Sequence, residues 1–248
     1  MNKGKMINKV RFVSVIPGLE EAMPIIKTSE YKHKWKKRAS LDLSDGEIKC
    51  PVTKILNVSR CPGINNIQSV GWVLRLWQDV TIETNEDGDV SWRSSFDQST
   101  EGSGDLIQFH EDEIFGKYRT NWPKGTAKHI IKFNTGWSAI IPKGYNLLQI
   151  PVAMADENEF TAVEGMYGGD LGPAILNVPV YWHNLGNIKT IKAGTPLAQL
   201  ILVPDEEYEY SVEPSTEETN KIFDVYIKLI NHTFVSNYNK VKQWWASR

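Results

Sequence analysis

The residues best suited by type to do chemistry lie around His110-Glu111-Asp112. A His-x-Asp pair joined by a distant histidine makes the two-histidine, one-carboxylate face that holds Fe(II) in many barrel oxygenases. His183 would complete such a metal set with His110 and Asp112, and His129 is the other candidate for the third position. The same run also describes a solvated acidic loop, because so short a spacing is a weak discriminator. His183 follows the strand-like Val180-Tyr181-Trp182, a place where a histidine commonly serves as a hydrogen-bonded rim residue. Asp170, between Gly169 and Leu171, reads as readily as a turn residue as it does as an acid or base.

A second concentration of reactive chemistry is cationic. Lys32-His33-Lys34-Trp35-Lys36-Lys37-Arg38 gathers five basic side chains around one indole. Lys34, Trp35, Lys36, Lys37 and Arg38 are therefore candidate nucleic-acid or partner contacts, the cations gripping phosphates while the ring stacks. The competing reading is a solvated linker or an early helical turn. The acidic run at residues 205–209 is a possible counterpart, within one chain or between subunits. Cys61 is followed at once by Pro62-Gly63 and has no histidine nearby, so it reads as the turn into the next strand rather than as a nucleophilic thiol.

The whole chain supplies no such field. Among 248 residues, 28 are basic and 30 acidic, so any charge-driven partner must be met locally. The two cysteines, Cys50 and Cys61, lack metal spacing and build no disulfide frame, which fits a reduced compartment. The first residues lack the apolar core of a signal peptide, and no run approaches the roughly 20 apolar residues of a membrane span. These features predict a soluble protein made in the cytoplasm, with no membrane partner.

The elements that must position these groups are mostly strands. Residues 133–204 alternate short apolar segments with tight turns and close on AGTPLAQLILVP, which reads as a last long strand. Residues 10–16 form a strand ended by Pro17-Gly18. Residues 70–84, VGWVLRLWQDVTIET, alternate well enough for one long strand, and Asp87-Gly88 turns it back into VSWRSSF. IQFHEDEIFG is a short strand or one helical turn. Near the C-terminus, Ser215 and Glu218 resemble a capping box. Behind it Ile222, Tyr226, Leu229, Ile230, Phe234, Tyr238, Val241 and Trp245 recur at helical spacing, giving one amphipathic helix, long or broken once at Asn231-His232-Thr233. Trp244 and Trp245, adjacent at its end, cannot share one helical direction. One ring is expected to pack inward and the other to face a partner. Most of the nine tryptophans read as core and rim packing.

Four of these stretches, in order, resemble an uncharacterised group of β-rich proteins encoded by tailed phages of aquatic bacteria and by some bacteria. They are residues 60–83 (RCPGINNIQSVGWVLRLWQDVTIE), 132–152 (KFNTGWSAIIPKGYNLLQIPV), 163–170 (VEGMYGGD) and 193–204 (AGTPLAQLILVP). The resemblance covers about 150 residues and implies a phage or phage-like source and a β-rich domain. The same stretch is also similar to the trimeric dUTPase and dCTP deaminase fold, a distorted β-barrel that uses IPxGY, a GVIDxDYRG-like turn and GDRIAQLI in that order. Here those places hold Ile141-Pro142-Lys143-Gly144-Tyr145, then Gly165-Met166-Tyr167-Gly168-Gly169-Asp170, then the run from Gly194 through Ile201. The chemistry departs from that pattern. Gly168 stands where the dUTPase pattern has the aspartate that positions the attacking water. LLQIPVAMADENE replaces the Ser-containing phosphate motif, and no Gly-rich C-terminal arm follows.

The sequence therefore predicts a mainly β protein, a distorted β-barrel or sandwich with dUTPase-like or cupin-like turns. It divides into a strand and basic segment at 1–43, a β-barrel domain at 44–205 and a helical extension at 206–248. The leading functional expectation is a phage-encoded, non-catalytic binding or assembly protein, homo-oligomeric, meeting a small ligand or a host or virion partner, with Trp244 and Trp245 as partner contacts. The alternatives are a barrel enzyme, either an Fe(II) oxygenase or a Mg-dependent nucleotide hydrolase, and a nucleic-acid-binding accessory protein.

Overall fold

The structure is a computed structural model and describes residues 9–41, 58–94, 105–111, 116–118, 124–231 and 234–247. Two compact units result, Met1–Tyr31 with Val70–Glu206, and Lys32–Ser69 with Glu207–Arg248.

The first unit is mainly β, as the sequence predicts, and its sheets are antiparallel. One sheet holds β1 (Arg11–Ser14), β6 (Ile107–His110), β7 (Ile130–Ile140), β9 (Phe160–Ala162) and β11 (Ala174–Trp182), with β7 and β11 at its centre. A second runs in the order β10 (Gly165–Gly168), β8 (Tyr145–Ile150), β13 (Pro196–Pro204), β3 (Trp72–Arg75), β2 (Ile26–Lys27). The third joins β12 (Ile188–Ile191), β4 (Val80–Thr84) and β5 (Val90–Ser94). Among the described residues these sheets stay open rather than closing into a barrel. Period-two alternation decides the inward face. Leu176, Val178, Val180 and Trp182 of β11 are buried while their neighbours are not, and they join Ile131, Phe133, Ile82, Leu74, Leu147 and Leu200 in one core. The short helix α1 (Leu19–Ala22) adds Leu19 to the same cluster.

Glycine marks the irregularities. β7 pairs with β11 in a register that skips between Leu176 and Asn177, leaving Thr135-Gly136 as a bulge. Gly136 has φ 69°, and the Thr135 hydroxyl donates to the Leu176 carbonyl. The Asp87-Gly88 hairpin forms as expected, Thr84 opposite Val90. Its loop is longer than a two-residue turn, because Asn85 N–H donates to the Asp89 carbonyl at 3.2 Å and Gly88 takes φ 95°.

The long strand expected at residues 70–84 is instead two, β3 and β4, lying in different sheets. A corner separates them at residues 76–79. Leu76 exchanges backbone bonds with Thr195 and Gly194, at 2.9 and 2.8 Å. Asp79 accepts from the Ala193 N–H at 2.8 Å and from Lys192 Nζ at 2.7 Å, and the Lys192 hydrogen bond holds its carboxyl below the usual carboxylate range. Inward alternation runs straight through this corner, with Leu74, Leu76, Gln78, Val80 and Ile82 all buried, so periodicity alone could not reveal it.

The second unit is helical where described: α2 (Lys34–Leu41), α3 (Pro62–Ile67), α4 (Glu217–Asn231) and α5 (Phe234–Ala246). Cys61-Pro62-Gly63 opens α3 rather than a turn into a strand, since proline suits the first helical position. The C-terminal pattern breaks into α4 and α5 at the expected place, with His232 and Thr233 outside the described residues. The cap of α4 sits one residue later than expected. Thr216 Oγ1 accepts from the Thr219 N–H at 3.2 Å, and Thr219 Oγ1 accepts from the Thr216 N–H at 2.8 Å, a reciprocal box that leaves Ser215 and Glu218 out.

Candidate functional site

The residues proposed for a metal are placed by separate elements. His110 ends β6, half-buried and opposite Ile130 of β7. His129, just before β7, has Nδ1 3.2 Å from Glu111 Oε2. Asp112 and Cys50 lie outside the described residues. His183 has both ring nitrogens engaged by hydroxyls, Nδ1 with Thr126 Oγ1 at 3.0 Å and Nε2 with Thr161 Oγ1 at 2.7 Å. One ring nitrogen must donate and the other accept in the neutral imidazole, so the two threonines serve opposite roles. Among the described residues no three His, Cys, Asp or Glu side chains gather as a ligand set. Asp170 is exposed in a short 3₁₀ turn at Gly169–Leu171. Gly168, extended at φ −79° in β10, would have no atom closer than 3.4 Å to an added Cβ, so the fold does not itself forbid a side chain there.

The basic run forms α2, where Lys36 Nζ donates to Asn65 Oδ1 at 2.8 Å and approaches Gln68 Oε1 at 3.4 Å. Lys36 thus tethers α2 to α3. The indole of Trp35 is half-buried, 5.8 Å from the ring of buried His33. Lys34, Lys37 and Arg38 have exposed side chains.

Two concave features stand out. The first belongs to the helical unit, an apolar groove of about 560 Å³ between α4 and α5. Ile222, Phe223 and Tyr226 of α4 face Val241, Trp244 and Trp245 of α5 across it. The two adjacent indoles both line this groove, their centroids 6.0 Å apart, Trp244 half-buried and Trp245 63 % exposed.

The second feature belongs to the β unit and was not foreseen from the sequence. It is a cavity of about 200 Å³ walled by residues 151–157 after β8, by β9 and by the start of β13. Pro151, Val152, Phe160, Pro196 and Leu197 supply apolar walls, and Glu157 and Thr161 the polar groups. Met154, in the same loop, takes a left-handed φ of 52°, a conformation that costs a non-glycine residue roughly 1 kcal/mol or more. Tyr31 lies within electrostatic reach: burial first, then Asp156 and Glu157, push its phenol up to about 12. Tyr167 of β10 is likewise raised to about 12 by burial, and its hydroxyl donates to the Asn177 carbonyl at 2.9 Å.

These raised phenols have a measurable consequence. The fold favours their protonated form, so their contribution to stability is complete below pH 10 and is lost as pH climbs from 10 through 12. Ultraviolet titration of phenolate should show two tyrosines titrating near 12, and Tyr167→Phe should remove one of them and soften the alkaline fall in unfolding free energy. Native-state titration of every tyrosine near 10 would refute this.

The described residues thus define a mainly β protein of three open antiparallel sheets, with a separate helical unit. No known protein family matches the sequence, and no curated protein matches it. Solved structures similar to the chain include two mutant dUTPases. One is from Staphylococcus bacteriophage 80alpha, with a TM-score of 0.38, 13% identity and coverage of 85% of this chain and 99% of that one. The other is from phage phi11 of S. aureus, with a TM-score of 0.37, 13% identity and the same coverage. No described helix is long and apolar enough to cross a membrane.

Proposed function

We propose that the protein is a phage-encoded, non-catalytic binding and assembly protein that self-associates through its C-terminal helical hairpin. The observation that carries this reading is the apolar groove between α4 and α5, with Phe223 57 % and Trp245 63 % exposed beside it. A pair of amphipathic helices leaves an apolar face that two such hairpins, brought together as a closed bundle, can bury. A second copy of this chain is the occupant that fits. Glu217, Glu218 and Asp224 against Lys221 and Lys228 leave α4 with a slight acidic excess concentrated in its first turn, whereas Lys240 and Lys242 make α5 basic. A two-fold axis that lays α4 of one copy against α5 of the other therefore opposes unlike charges while covering the indoles. Native mass spectrometry and light scattering test the reading directly: an even-numbered oligomer is expected, and a monomer at micromolar concentration would overturn it.

A further inference from the structure

We propose that the cavity between the 151–157 loop, β9 and the start of β13 is a binding site for a small flat cation, of the amidine or protonated amino-heterocycle class. This inference is independent of the hairpin, since every lining residue belongs to the β unit.

Charge sets the sign of the ligand. Glu157 is the one ionisable residue in the lining, and no lysine or arginine shares it. Among the described residues its carboxylate has neither a hydrogen-bond nor an ion-pair partner, although it is half-buried. A carboxylate so placed loses part of its hydration, and a cation that donates two parallel N–H bonds is the partner that best restores it. Asp156 beside it adds charge of the same sign. A phosphate or carboxylate ligand would meet the Glu157 carboxylate and be repelled.

Shape sets the class. At about 200 Å³ the space is smaller than the roughly 300 Å³ at which pockets begin to hold drug-sized molecules, and so suits a single ring. Pro151 and Val152 from the loop, Phe160 of β9, and Pro196 and Leu197 of β13 present apolar surfaces to such a ring. Phe160 is itself held by Phe133, with centroids 5.8 Å apart. Thr161 supplies a hydroxyl fixed by His183 Nε2 at 2.7 Å, a second polar group that is oriented before any ligand arrives. The left-handed Met154 shapes the loop that carries Ala155 and Glu157 to the cavity.

Three isosteric probes separate charge from shape: benzamidine, benzamide and benzoate, titrated into the full-length protein and followed by amide NMR. Benzamidine is expected to shift amides at residues 151–162 and 196–197. Benzamide should bind about tenfold more weakly, and benzoate and inorganic phosphate should leave those amides unmoved. Glu157→Gln should lower benzamidine affinity about tenfold, to the level of benzamide, with the rest of the spectrum unchanged. Ala155→Trp, which fills the space and leaves the carboxylate in place, should abolish the shifts. Binding of benzoate or phosphate as tight as benzamidine, shifts confined to another surface, no shift with benzamidine, or undiminished affinity in Glu157→Gln would each overturn the proposal.

Discussion

Replacing Gly71 by alanine is expected to unfold the β unit. Gly71 stands just before β3 with φ 77°, a left-handed conformation that an L side chain resists. Space is the larger obstacle. A Cβ built there would lie 1.9 Å from the Leu200 carbonyl oxygen and 2.9 Å from its carbon, both backbone atoms of β13. Since Leu200 pairs with Trp72 in the adjoining register, relief requires β3 to move off β13. The Gly71 carbonyl also accepts from the Thr28 N–H at 3.0 Å, so the shift would loosen the β2 edge too. Strain plus lost pairing should cost more than about 4 kcal/mol, a large share of the roughly 5–15 kcal/mol that stabilises a folded domain. Circular dichroism should show no cooperative melt, or a midpoint lowered by more than about 10 °C. Gly63→Ala is the matched control. Its Cβ would meet nothing within 4 Å in α3, and alanine in a helix should be neutral or stabilising by about 0.5–1 kcal/mol. A Gly71→Ala protein that melts within about 2 °C of the parent would show that β13 can yield there.

Gly71 also shows where sequence reading stops. The residues around it alternate as a strand should, and nothing local states that the backbone at position 200 passes so close that a Cβ would strike it. Legible features were those fixed by local rules. Short apolar segments between turn signals marked β7, β8, β11 and β13, Asp87-Gly88 marked the β4–β5 hairpin, and the helical repeat near the C-terminus broke beside Asn231. Features fixed by distant partners were not legible. Asp79 turns the chain from β3 to β4 by reaching the Ala193 N–H, 114 positions away. His183 shows both regimes. Its place at a strand end marks it as a rim residue, but its two threonine partners come from 57 and 22 positions upstream. The same separation hides the β-unit cavity, because Glu157, Thr161 and Pro196 meet only once β9 and β13 are in place. Local ambiguity explains the shifted cap of α4, where adjacent Ser215 and Thr216 are both good cap residues and only the reciprocal Thr219 hydroxyl selects the second. In α2 a run of cations could announce charge but not that Lys36 would be used to hold α3.

The exchange of Trp245 and Phe223 for lysine should dissolve the proposed oligomer. Both side chains are more than half exposed and line the same groove, Phe223 on α4 and Trp245 on α5, so lysine in either place meets water in the single chain and leaves the helices intact. In a four-helix arrangement of two copies, the same positions would be enclosed. Truncating a central aromatic at such an interface costs about 2 kcal/mol or more, roughly 30-fold in dissociation constant. A two-fold axis repeats each substitution on both copies, and four buried ammonium groups add a desolvation cost that the parent interface does not carry. Phe223→Lys with Trp245→Lys is therefore expected to be a monomer by light scattering at concentrations where the parent is oligomeric, with helical circular dichroism unchanged. Salt offers a second readout. The pairing of the α4 carboxylates with the α5 lysines of the other copy should weaken with ionic strength, while the apolar contribution strengthens in sulfate, so chloride and sulfate should move the equilibrium in opposite directions. An oligomer that survives the double substitution would place the contact elsewhere on the chain and remove the groove from the interface.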